Sequence, residues 1–203
     1  PRMKRRPDVP FAPKRFPIFY GWIILATGAL GVLMSVPGQT VGVSVFTDFL
    51  IEDLGLTRTQ LSLAYLFGTI GSAFILSYAG RAYDRYGARA VGASVALFLG
   101  LVLLMLSASP AIVSALRGAV PSISPVIPAF AFITVGFFLL RFLGQGVLTL
   151  TSRNMVMKWF EERRGLANAF LSVGVSFGFS SAPLFLNSLI EAHGWQRSWA
   201  LLG

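Results

Sequence analysis

Long apolar runs, separated by short polar segments, dominate the pattern of residues along this chain. A helix crosses the hydrocarbon core of a bilayer in roughly 20 residues, and five of the runs reach about that length. The pattern predicts membrane-spanning helices, called spans one to six below, near residues 18–46, 59–79, 90–107, 129–150 and 166–189, with an incomplete sixth at 195–203. Because Pro1 is not an initiator and the last run breaks off at Gly203, we expect a sequence truncated at both ends.

Positive charge alternates between the segments that connect these spans. Residues 1–17 form a basic, proline-containing tail, which we expect to be a disordered region separate from the transmembrane bundle of residues 18–203. Lys and Arg concentrate in cytoplasmic loops of membrane proteins. The pattern therefore predicts a multi-pass protein of the plasma membrane with a cytoplasmic N-terminus. The cations that follow spans two and four are Arg81, Arg85, Arg89, Arg153, Lys158, Arg163 and Arg164.

Composition supports the membrane class and argues against others. The chain is 55% hydrophobic and 12% charged, with a mean hydropathy of +0.71, whereas soluble domains are roughly 25% charged. It has no cysteine and one histidine, and no acidic residue lies deep within a span. Neither an enzyme nor a metal or cofactor site is therefore predicted. The net charge of +9 is explained by membrane topology rather than by nucleic-acid binding, because the basic residues lie between apolar runs.

Local signals add detail to the spans. Thr57 and Gln60 have the spacing of a capping box at the start of span two. Pro37 and Pro183 each remove a backbone hydrogen bond within a span and should kink it. The proline-rich stretch 109–128 is predicted to be a long outer loop with a short interfacial helix around Ile112 to Leu116, or alternatively a re-entrant segment.

Small residues recur four positions apart on spans one, two and five. This spacing lets helix backbones approach closely in lipid, where van der Waals packing replaces the hydrophobic driving force. Tight helix packing is therefore predicted at these positions, which are Gly38, Gly42, Gly68, Ser72, Gly174, Gly178 and Ala182.

The ten residues that follow span two form the most specific motif of the chain. They read Gly80-Arg81-Ala82-Tyr83-Asp84-Arg85-Tyr86-Gly87-Ala88-Arg89. This segment resembles the signature Gly-x-x-x-Asp-Arg-x-Gly-x-Arg that transporters of the major facilitator superfamily carry between their second and third helices. The resemblance implies a cytoplasmic loop that acts as a conformational gate and clasps the other half of the transporter in its outward-open state. The matching gate residues are Gly80, Asp84, Arg85, Gly87 and Arg89.

Span four carries a permanent charge about halfway along its length. Arg141 is followed by Gly144 and Gly146, which is similar to the buried arginine and glycines of the family's fourth helix. An arginine at the centre of a membrane helix costs roughly 2.5 to 3.5 kcal/mol, so Arg141 should face a polar cavity, a substrate or a partner. A structural ion pair is the alternative. The candidate substrate or coupling residues are Arg141, Gln145, Gln39, Tyr65 and Asn187.

The segment from Trp159 to Ala167 is similar to the monocarboxylate porter and oxalate/formate antiporter branches of the family. The resemblance implies an all-α membrane fold, the six-helix N-terminal half of a twelve-helix bundle with its sixth helix truncated. It also implies secondary active transport of a small organic anion such as a monocarboxylate, with a proton or a counter-substrate as coupling species. The lipid bilayer and the missing C-terminal half would be its partners. A receptor or scaffold that does not transport is the alternative.

Overall fold

The computed structural model describes residues 19–203, which are almost entirely helical and contain no strand. The predicted tail of residues 1–17 lies outside the described residues. An all-α fold is confirmed. The α-helices of the described part are α1 Tyr20–Leu33, α2 Thr40–Val45, α3 Thr47–Leu54, α4 Arg58–Ser107, α5 Ser109–Ala119, α6 Val126–Leu140, α7 Thr149–Trp159, α8 Arg164–His193 and α9 Trp195–Leu202.

Span one is broken near its centre. Helix α1 gives way to a 3₁₀ turn, Val36–Gly38, which has Pro37 in its first turn. Proline lacks the N–H that would continue the α-helical bonding, so the predicted interruption at Pro37 is confirmed. Helix α3 then extends the span past its predicted end and closes at Gly55, whose φ of 64° is the left-handed conformation that glycine adopts at little cost.

Spans two and three lie in one helical segment, α4, which consists of two helices that meet at a kink at Gly87. The capping box at its start is confirmed, because Gln60 N donates to Thr57 Oγ1 at 3.2 Å and Thr57 N donates to Gln60 Oε1 at 2.9 Å. The prediction that residues 80–89 form a loop is wrong. They are helical except at Gly87, where φ is 82° and ψ is 168°. Each part of α4 on either side of Gly87 is long enough to cross a core of about 30 Å.

The stretch predicted as an outer loop contains helix α5, which is longer than expected. Arg117 connects this helix to its neighbours. Its Nη2 donates to the carbonyl of Leu54 at 2.6 Å, and its Nε donates to the carbonyl of Pro125 at 2.9 Å. Arg117 thus caps the last turn of α3, whose final carbonyls have no partner within the helix.

Span four is helical from α6 through α7, with a π-helical segment, Arg141–Leu148, between them. Helix α8 continues through Pro183 without interruption, unlike span one at Pro37. Within the described residues, four helical segments are long and apolar enough to cross a membrane. One of the four is α4, which holds two of the predicted spans. The segments are Tyr20–Gly38, Arg58–Ser107, Val126–Trp159 and Glu161–His193.

Two apolar cores hold the bundle together within residues 19–203. In the larger core, α4 packs against α6, the π segment and α9, and Phe46 contacts Trp199 with ring centroids 4.8 Å apart. In the smaller core, α1 packs against α7 and α8 around Val32 and Val156. Many large apolar side chains outside both cores are exposed, Phe177 by 75%. Such exposure suits a helix that faces lipid rather than water.

Candidate functional site

Arg141 is buried at the start of the π segment, with only 8% of its surface exposed. Its Nη1 lies 3.3 Å from Thr40 Oγ1 and 3.5 Å from the carbonyl oxygen of Gly38. The guanidinium carbon lies 5.0 Å from the centre of the Tyr65 ring, within range of a cation–π contact. Tyr65 Oη in turn shares a 2.8 Å hydrogen bond with Thr40 Oγ1. Span one, span two and span four therefore meet around one cation.

The donors of Arg141 are incompletely used. A guanidinium carries five N–H donors, and both hydrogen bonds it makes here are long and come from the same nitrogen. Within residues 19–203, its Nε is buried without a hydrogen-bond partner, and no carboxylate lies within 4.0 Å of the guanidinium. The site therefore offers donors suited to an anion.

Two glycines bring the backbones of spans one and four together beside Arg141. A Cβ added to Gly38 would lie 2.5 Å from the carbonyl oxygen of Leu140 and 2.9 Å from Gly144 Cα. A Cβ added to Gly144 would lie 3.0 Å from Gly38 Cα. This close approach presents the Gly38 carbonyl to the arginine. The predicted tight packing at Gly38 is thus present.

A second polar group lies close to this crossing. Gln39 Nε2 donates to Ser35 Oγ at 3.0 Å and to Thr149 Oγ1 at 3.4 Å. Thr149 Oγ1 also bonds Ser35 Oγ at 3.1 Å. Because Gln39 precedes Thr40 in the chain, this group adjoins the Arg141 cluster. Together they form a polar centre between spans one, two and four.

The signature segment lies far along α4 from this centre. Asp84 Oδ1 forms an ion pair with Lys158 Nζ on α7 at 3.5 Å, and both side chains are more than half exposed. Lys158 Nζ also lies 4.5 Å from the centre of the Tyr83 ring. Burial raises the pKa of the Tyr83 phenol above its ordinary value, and the Asp84 carboxylate raises it further.

The sequence model of the Major Facilitator Superfamily matches residues 28–203. The chain belongs to this superfamily. The chain is similar to a hexuronate transporter of Bacillus subtilis (strain 168), to which it is 29% identical over 167 residues that cover 78% of this chain and 33% of the relative. Monocarboxylate transporter 6 of Mus musculus is 32% identical over 94 residues, which cover 43% of this chain and 20% of the relative. The chain thus spans about a third or less of the length of these two relatives.

A third relative is aligned along nearly the whole chain. The MFS-type transporter 1 of Ophiocordyceps sp. (strain BCC 1869) is 26% identical over 205 residues, which cover 96% of this chain and 40% of the relative. No solved structure matches the chain significantly. Family membership and the apolar helices together establish a multi-pass helical membrane protein.

In the structure of this superfamily member, only some of the predicted site residues lie close together. Arg141, Tyr65 and Gln39 lie in the polar centre, but the side chains of Gln145 and Asn187 are exposed and are not part of it. Sequence reasoning missed three hydroxyl residues of the centre, which are Ser35, Thr40 and Thr149. Their only sequence signal is a polar side chain within an apolar span, which many Ser and Thr residues share.

The predicted gate residues of this superfamily member are likewise divided. Asp84 makes the ion pair with Lys158, while Arg85 lies over the neighbouring Tyr86 ring, with 5.3 Å between the guanidinium carbon and the ring centre. Gly87 supplies the only positive φ within α4. A Cβ added at Gly80 or Gly87 would meet no atom within 4 Å. Close packing within the described residues therefore does not explain the glycine at position 80.

Proposed function

We propose that the protein containing this chain is a secondary active transporter that carries a small organic anion across the plasma membrane by alternating access. The observation that supports an anionic substrate is the buried Nε of Arg141, which has no hydrogen-bond partner in the described part of the chain. Burial of a cation in the membrane is unfavourable unless a partner compensates it. An arginine fork matches the geometry of a carboxylate.

The names of two relatives support a carboxylate substrate. One is a hexuronate transporter and another is a monocarboxylate transporter, and both names denote acids with a carboxylate group. We therefore propose that the shared carboxylate binds at Arg141, with Gln39 and Tyr65 beside it, and that Gln145 and Asn187 contact the substrate in another state of the transport cycle.

The signature segment is proposed to regulate the exchange between outward-open and inward-open states. Asp84 and Lys158 already pair at the end of the bundle that the positive-inside rule places in the cytoplasm. Arg85 and Arg89 would add contacts with the second half of the transporter. A proton or a counter-substrate is the proposed coupling species, and the N-terminus is proposed to be cytoplasmic.

Substitution of Arg141 by Lys in the full-length protein tests this proposal. Lysine keeps the charge but replaces the planar fork by a point charge. Loss of one hydrogen bond to a charged group is worth about 1.5 to 3 kcal/mol, so the affinity for a transported carboxylate should fall roughly tenfold to hundredfold. Calorimetric titration of the purified protein with a panel of carboxylates measures this change.

The matched control is Arg58→Lys, because Arg58 is an exposed arginine that already pairs with Asp48. It should leave anion affinity unchanged. If Arg141 instead pairs with a carboxylate outside residues 19–203, the Lys variant should lose mainly thermal stability. Wild-type stability together with wild-type affinity for every transported anion would contradict the substrate role of Arg141.

A further inference from the structure

We propose that Arg153 is a second anion-binding residue, which continues the route of a carboxylate from Arg141 towards the cytoplasmic end of span four. This inference rests on the proposed function, because it assumes that the protein transports an anion. The residues that support it occupy every fourth position along span four and are called the polar row below. They are Arg141, Gln145, Thr149 and Arg153.

The π segment keeps the polar row on one side of span four. In an α-helix of about 3.6 residues per turn, each step of four residues advances about 40° around the axis, so three steps rotate a row by roughly 120°. The π segment, Arg141–Leu148, covers the first two steps, and the Thr149 N–H donates to the Gly144 carbonyl, five residues back. A π-helix places more residues in each turn. This wider turn offsets the rotation, so Arg141 and Arg153 remain on the same side of the helix.

The contacts of neighbouring residues on α7 show which side this is. A Cβ added to Gly92 of span three would lie 3.5 Å from Thr151 Cγ2, and one added to Gly28 of span one would meet the Val156 side chain. At about 100° per residue, Arg153 lies roughly 160° around the helix from Thr151 and roughly 60° from Val156. Arg153 therefore lies nearly opposite span three and beside span one.

The polar row borders a space that the described residues leave open. Gln145 is exposed although it follows the buried Gly144 within a membrane span, and Thr149 and Arg153 are half-buried. Polar and charged side chains at this depth face a bundle interior or a water-filled cavity rather than lipid. The row therefore lines a polar path along span four.

Arg153 has a free guanidinium at the far end of this path. The sequence pattern places Arg153 after span four, but it lies within α7. Within residues 19–203 it makes no side-chain hydrogen bond and no carboxylate lies within 4.0 Å of it, whereas Lys158 and Arg164 are both paired and more than half exposed. A half-buried cation is less screened by water than these exposed pairs. At a rise of about 1.5 Å per residue, Arg153 is at most roughly 18 Å from Arg141 along the axis. An anion that leaves Arg141 for the cytoplasm thus has a second cation ahead of it.

Charged thiol reagents test the inference in the purified full-length protein, with any cysteine outside these residues replaced. A cysteine in place of Gln145 should react faster with the anionic sulfonatoethyl methanethiosulfonate than with the cationic trimethylammonioethyl methanethiosulfonate, after each rate is divided by that for glutathione. Arg153→Gln should reduce this anion preference roughly threefold to tenfold, because one charge is lost about 12 Å away in a medium of intermediate dielectric. Arg153→Lys should retain most of the preference, because it keeps the charge.

Arg164→Gln is the matched control. It removes the same charge at the same end of the bundle, but the Arg164 side chain is 57% exposed and pairs with Glu161. It should leave the reagent preference unchanged. Thermal unfolding of each variant gives a second readout. Arg153→Gln should be as stable as the parent protein, because no partner loses a contact.

Two outcomes overturn the inference. An unchanged reagent preference in Arg153→Gln would show that the Arg153 charge does not act on the polar path. A loss of thermal stability in Arg153→Gln would assign Arg153 to an ion pair with a carboxylate outside residues 19–203. If Arg141→Lys still weakens carboxylate binding in either case, the proposed function stands without a second anion-binding residue.

Discussion

The close contact between spans one and four predicts that Gly38 does not tolerate one additional methyl group. In Gly38→Ala the new Cβ would lie 2.5 Å from the Leu140 carbonyl oxygen and 2.9 Å from Gly144 Cα. Both are backbone atoms, which cannot rotate away as the end of a flexible side chain can. The two spans must separate, and overpacking of this kind costs typically about 1 to 3 kcal/mol. The Gly38 carbonyl would also move away from Arg141, so anion affinity should fall together with stability.

Gly174→Ala is the control for this prediction. Gly174 lies within α8, and a Cβ added there would meet no atom within 4 Å. Alanine is favoured over glycine in a helix by roughly 0.5 to 1 kcal/mol, so this variant should be slightly more stable than the wild type. Denaturant unfolding of the purified full-length protein gives both free energies. The reasoning is refuted if Gly38→Ala is as stable as the wild type or more stable.

Two further predictions concern the signature segment and the topology. Asp84→Asn should change the free energy of unfolding by less than about 1 kcal/mol, because the Asp84–Lys158 pair is exposed, yet it should slow uptake into proteoliposomes by shifting the outward/inward equilibrium. Normal uptake by the Asp84→Asn variant would indicate that the segment serves only to set the membrane topology. Because the chain has no cysteine, single cysteines can report sidedness. In intact cells, an impermeant maleimide should label a cysteine at Glu52 and not at Arg85; the reverse pattern would overturn the predicted orientation.

The sequence predicts the helical membrane fold correctly, but it wrongly predicts a loop for the signature segment. Apolar runs are long and each must satisfy its backbone hydrogen bonds internally, so helices follow directly from composition. The polar residues from 80 to 89 suggested a loop. However, Ala and Arg are good helix formers, and the helix α4 continues through them until Gly87, where the backbone adopts a positive φ.

Only part of the candidate functional site could be predicted from the sequence, because the rest of it depends on how two helices cross. Arg141 was evident because a permanent charge within an apolar span is costly. Thr40 and Thr149 could not be selected, because a hydroxyl in a membrane helix commonly bonds its own backbone. The crossing at Gly38 and Gly144 decides which hydroxyls meet Arg141, and a crossing is a property of two helices together. The same limit applies to Gln145, which has the right chemistry but remains exposed in this state.

The contact of the buried arginine with the Gly38 carbonyl depends on the glycine crossing. A lipid tail offers no acceptor to a guanidinium, so the Gly38 carbonyl, Thr40 and Tyr65 partly compensate its burial. The carbonyl reaches Arg141 only because Gly38 and Gly144 let two backbones touch. The same contact holds the guanidinium in one place before any anion arrives. Under the proposed function, an anion at Arg141 would meet donors that are already positioned, and preorganisation of this kind raises affinity by lowering the entropy lost on binding.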